Sequence, residues 1–142
     1  MLEWTWTAKI CVTIAGGFLM SGLITGIWKY RHMLGSPDHR APVYVNIAHR
    51  ASLMYAFACL VLASLAAGSA WPEWVDAVGA IVPMLFFGAA VGTYILLGLA
   101  DRTENQFEER TWHTTWGMVA LIVGEVGGVA VLLSGFVRGV WL

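Results

Sequence analysis

The chain has 142 residues, of which 58% are hydrophobic and only 12% charged, with a mean hydropathy of +0.70. Soluble domains carry about 25% charged residues, so this composition excludes an ordinary solvated surface and points to one integral membrane domain spanning 1–142. A net charge of −1 and the lack of a basic tract give no support to nucleic-acid binding.

A helix needs about 20 apolar residues to cross about 30 Å of hydrocarbon. Four stretches meet that length, at 8–28, 45–70, 75–100 and 111–137. The connections between them are short, so consecutive helices are expected to be antiparallel neighbours: an all-α fold, a four-helix transmembrane bundle in a lipid bilayer. The first span follows Glu3 rather than a basic segment and is long enough to cross, which reads as a membrane span and not as a cleaved leader. Eight tryptophans suit anchoring at the headgroup boundary. Cys11 and Cys59 fall inside spans and read as small packing residues rather than a disulfide. Pairs of small residues four apart, Gly22/Gly26, Gly88/Gly92 and Gly124/Gly128, are the spacing that lets helix backbones approach closely, within a bundle or between subunits.

Charge orients the bundle. The first connection carries Lys29, Arg31 and Arg40, and the third carries Arg102 and Arg110, whereas the turn around Trp71-Pro72-Glu73-Trp74 has neither lysine nor arginine. The positive-inside rule places the first and third connections in the cytoplasm and both termini outside. From Tyr30 to Pro42 the first connection reads as a solvated loop around a Gly35-Ser36-Pro37 turn, and its His32 and His39 have no regular frame to bring them together on a metal.

His49, with Arg50 beside it, opens the second span and places a titratable ring in an apolar segment, where desolvation is expensive. Three readings stand: a ring bonded to a backbone carbonyl or to Asn46, a haem ligand, or a proton relay. Zinc would need three or four protein ligands, and no second one stands at i+3 or i+4. His49 and Tyr94 are nearly equally far along the chain from the Trp71–Trp74 turn, so at about 1.5 Å per residue they lie within about 3 Å in depth. His113, Trp112 and Trp116 come to a comparable level at the start of the fourth span. Glu125 is the carboxylate nearest mid-membrane, more than about 10 Å deeper, and reads as protonated or hydrogen-bonded between helices. Arg50 either snorkels to the headgroups or meets an anionic group beside His49.

In order and spacing, Gly35-Ser36-Pro37, Ala48-His49, Gly92-Thr93-Tyr94 and Asn105-Gln106-Phe107 resemble the styrene oxide isomerase family of small bacterial membrane proteins. The resemblance spans about Gly35 to Phe107. It implies a homotrimer in the bacterial inner (cytoplasmic) membrane, with haem b and its iron held by His49 between subunits. It also implies Tyr94 as the hydroxyl that orients substrate, and Arg50 within reach of a haem propionate. Where the family carries a substrate-holding asparagine, this chain has Tyr55. The implied reaction is the Meinwald rearrangement of a small apolar aryl epoxide, such as styrene oxide, to an aldehyde without net redox change. Two alternatives are a b-type cytochrome with His49 and His113 as axial ligands, and an assembly subunit without a cofactor.

Overall fold

The computed structural model describes residues 4–108 and 111–142; Arg110 and the side chain of His113 lie outside the described residues. Helix α1 runs over Trp6–Gly35, α2 over Val43–Ala67 and α3 over Glu73–Ala100, while a π-helical turn at His113–Gly117 leads directly into α4, Met118–Trp141. Among the described residues there is no strand. All four spans are long and apolar enough to cross a membrane. The fold is the all-α four-helix bundle expected from hydropathy.

Local chemistry sets the helix ends. The Thr5 hydroxyl accepts from the amide of Ala8 at 3.2 Å. The Glu73 carboxylate accepts from both the amide and the hydroxyl of Thr7, at 2.7 and 2.6 Å. The open amides of the first turn of α1 are thus covered partly from within and partly by the third helix. Prolines 42 and 72 stand immediately before α2 and α3, where a missing amide and a fixed φ do no harm.

The first helix departs from expectation by continuing through 29–35. No breaker interrupts that stretch, and the helix stops only at Ser36, which is extended (ψ 136°) as the residue before a proline must be. Its polarity reflects emergence into the headgroups rather than loss of helix. Beyond it the Ser36 hydroxyl donates to the carboxylate of Asp38, and this bond, with smaller help from Arg40, holds the Asp38 carboxyl below its usual range. That contribution is present at neutral pH and is lost as the pH falls through the lowered value.

Helices α2 and α3 form the short diagonal of a flattened rhombus. Each packs on the other and on both outer helices, whereas α1 and α4 do not meet among the described residues. The core uses small side chains, Ala8, Cys11, Ala15, Cys59, Ala63 and Ala80, filled out by Leu62, Met84, Phe87 and Leu132. Both cysteines are free and buried. Large apolar residues are exposed along all four helices, as a lipid-facing or subunit-facing surface requires. The exposed tryptophans keep to the two ends: Trp4, Trp6, Trp74 and Trp141 at one, Trp112 and Trp116 at the other.

The glycine pairs divide. A Cβ on Gly22 would meet the Leu53 side chain, and one on Gly128 would meet the carbonyl of Gly79 at 2.6 Å and Cγ of Pro83 at 2.5 Å; Gly88 and Gly92 have nothing within 4 Å and face outward. Gly128→Ala is therefore expected to force α3 and α4 apart and destabilise the fold by about 1–3 kcal/mol. Gly88→Ala, by contrast, is expected to be neutral or stabilising by up to about 1 kcal/mol. Equilibrium unfolding in micelles checks both.

Candidate functional site

The side chains around His49 follow from bare backbone on α1. The ring nitrogen Nδ1 lies 2.8 Å from the carbonyl oxygen of Gly22. A carbonyl only accepts, so Nδ1 carries the proton and donates, and in the neutral ring the lone pair is on Nε2. A Cβ on Gly26 would stand 3.0 Å from Cε1 and 3.1 Å from Nδ1 of the ring. The imidazole therefore rests on helix backbone that only glycine leaves open. Beside it the Ser52 hydroxyl donates to the carbonyl of Ala48 at 2.8 Å and lies 3.3 Å from that of Ser21, so polar groups line this α1–α2 seam. His49 is half-buried, and the neighbouring Arg50 is exposed, with no hydrogen bond or ion pair among the described residues. The ring makes the expected bond to a backbone carbonyl, that of Gly22.

Contacts between α2 and α3 fix the level of Tyr94. Gly98 packs so closely that its Cβ would lie 3.2 Å from the amide nitrogen of Val45 and 3.0 Å from the Trp28 ring. The rings of Tyr55 and Phe87 stack with centroids 4.2 Å apart and planes 10° apart. In that antiparallel register residue 49 stands at the level of residue 94.

Their side chains diverge. His49 turns to α1. Tyr94 stacks on Tyr44, centroids 6.2 Å apart, and with Tyr55 of α2 lines a half-open cavity of about 880 Å³ between α3, α4 and the third connection. His49 and Arg50 are not in its lining. The structure thus brings Tyr55 and Tyr94 together on one cavity, turns His49 to α1 on the other side of the α2–α3 pair and leaves Arg50 exposed outside the cavity lining.

The cavity has an apolar floor, with Phe86, Met118 and Leu121, and a polar mouth that includes Arg102 and Asn105. Thr114 and Gly117 of the π-helical turn form part of its wall, and such turns are frequent at functional sites. The buried Oε1 of Glu125 on α4 has no hydrogen-bond partner among the described residues.

Sequence reasoning missed Tyr44. It is buried, and its hydroxyl oxygen accepts from the amide of Gln106 at 2.5 Å. Asking which acceptor the amides of Asn105-Gln106-Phe107 use would have pointed to it.

Among the described residues no group of three or more His, Cys, Asp or Glu side chains converges as a metal site. A bare ion with three or four protein ligands does not suit this donor set. A haem iron, which arrives with its porphyrin nitrogens and takes one proximal imidazole, fits it. Ligating histidines almost always donate their second ring N–H to a carbonyl, carboxylate or water, as Nδ1 of His49 does to Gly22. Compared with known proteins, the chain matches no family profile, no curated sequence and no solved structure.

Gly26→Val is expected to push the imidazole off α1, break its bond to Gly22 and destabilise the protein by about 1–3 kcal/mol. Gly17→Val, where a Cβ meets nothing within 4 Å, serves as the control. The hydrogen-bonded Nδ1–H resonance of His49 in micelles, lost in the first variant and kept in the second, reads the outcome.

Proposed function

We propose that this protein is a membrane-bound epoxide isomerase that carries haem b on His49, the activity implied by its resemblance to the styrene oxide isomerase family. The observation that carries the reading is the imidazole anchored through Nδ1 on the Gly22 carbonyl, with Nε2 left as a ligand in an apolar layer. When bound, ferric haem with one histidine ligand supplies an open position that acts as a Lewis acid towards an epoxide oxygen.

The remaining chemistry falls to the chain. The Tyr94 hydroxyl donates a hydrogen bond to the substrate and orients it. Aromatic rings of the cavity lining, Tyr55 and Phe86, favour positive charge developing at the benzylic carbon as its C–O bond stretches. A 1,2-hydride shift then gives the aldehyde, with no electron or proton gained or lost overall. Apolar walls keep out the water that would trap the cation as a diol.

Because His49 and Tyr94 stand on opposite sides of the α2–α3 pair, the reading takes the phenol from a neighbouring copy of the chain, which the trimer implied by resemblance allows. Lys29, Arg31, Arg40 and Arg102 orient the first and third connections to the cytoplasm of a bacterial inner membrane.

The bond between His49 and Gly22 is also what a packing histidine makes, and it favours a second reading: a membrane assembly subunit without a cofactor. An absorption spectrum of protein purified with haem supplied separates the two. A Soret band is expected in the wild type and lost in His49→Ala. Tyr94→Phe is expected to keep the band and slow conversion of styrene oxide to phenylacetaldehyde on the order of 10²-fold. Full turnover by haem-free protein refutes the mechanism, and a six-coordinate low-spin spectrum abolished by His113→Ala identifies a cytochrome instead.

A further inference from the structure

We infer that Tyr44 is a positioning residue that holds Tyr94 and the third connection in one geometry over the cavity. As regards turnover this rests on the isomerase reading; as regards structure it does not. Tyr44 is 4% exposed and enters the bundle at the second residue of α2, two residues after Pro42. One ring does two jobs. Its face stacks on Tyr94, centroids 6.2 Å apart and planes 21° apart. Its hydroxyl oxygen accepts from the amide of Gln106 at 2.5 Å.

That amide belongs to a turn already stiffened from within. The Asn105 side-chain oxygen accepts from the amide of Phe107 at 3.0 Å, and the Thr103 hydroxyl accepts from the amide of Asn105 at 3.0 Å. Asn105, Gln106 and Phe107 all line the cavity. Among the described residues the bond between Tyr44 and Gln106 is the one hydrogen bond between this turn and α2. Tyr44 thereby ties together three pieces of chain: the start of α2, the Tyr94 face of α3 and the turn at the cavity mouth. An aromatic ring at position 44 is needed for Tyr94, and an oxygen on that ring is needed for the turn.

The two functions separate by substitution. Tyr44→Phe keeps the stack and deprives the Gln106 amide of its acceptor; Tyr44→Leu removes both. In full-length protein in micelles, hydrogen exchange over 103–108 is expected to accelerate about tenfold in Tyr44→Phe, with α1 unchanged. With 3-fluorotyrosine placed at position 94, the fluorine resonance is expected to stay in Tyr44→Phe and to move in Tyr44→Leu, as the ring current of its neighbour disappears.

Haem content is expected to be unaltered in both variants. With styrene oxide, Tyr44→Phe is expected to raise KM with kcat nearly kept, and Tyr44→Leu to lower kcat towards that of Tyr94→Phe. Tyr44→Leu combined with Tyr94→Phe is then no slower than Tyr94→Phe alone, as for residues that act through one group. Unchanged exchange in Tyr44→Phe, an unmoved fluorine line in Tyr44→Leu, or fully additive losses would each overturn the assignment. A wild type that does not isomerise the epoxide removes the isomerase reading, while exchange and fluorine spectra still decide whether Tyr44 holds Tyr94 and the turn.

Discussion

The contact between α2 and α3 governs what the other elements do. Gly98 lets the backbone and side chain of Val45 at the start of α2 lie directly against α3, and the stack of Tyr55 on Phe87 locks the same register deeper in the bundle. Once that pair is set, α1 and α4 have one open side each, and they take opposite ones. A histidine on α2 that faces α1 and a tyrosine on α3 that faces the cavity beside α4 then share a depth without sharing a space. This separation makes the proposed chemistry a matter between chains rather than within one.

Much of the architecture was legible from residue types, because lipid tolerates so few arrangements. With no water to satisfy backbone groups, an apolar stretch of span length must be a helix, and short connections leave only antiparallel neighbours. Depth was legible for the same reason: counting from the Trp71–Trp74 turn places residues 49 and 94 together. Facing was not, since it depends on which helix lies to either side. Likewise Gly22 and Gly26, which meet Leu53 and His49 of α2, carry the same four-residue spacing as Gly88 and Gly92, which meet nothing. Spacing says that a backbone is bare, not what lies upon it. Tyr44 stayed hidden because its role is defined by an amide far along the chain.

The two ends of the bundle are built differently. At the end holding the second connection, Glu73 binds Thr7, the Trp71 indole donates to the carbonyl of Val131 and to Ser134, both at 3.2 Å, and the Arg138 guanidinium sits 5.1 Å over the same ring. All four helices are fastened there. At the other end α1 runs on past the bundle, and the π-helical turn holds the start of α4 in a wider coil beside the cavity.

The bond from Thr7 to Glu73 also bears on how the protein is made. Sixty-six residues separate the partners, so when α1 enters the membrane its first-turn amides have no carboxylate to meet. The hairpin of α1 and α2 can close at once, because Gly22 and His49 both lie within it. Its outer end stays untied until the third span is synthesised and delivers Glu73. Helices α1 and α2 can thus pair before α3 is made, and the bond from Thr7 to Glu73 forms only once α3 is present.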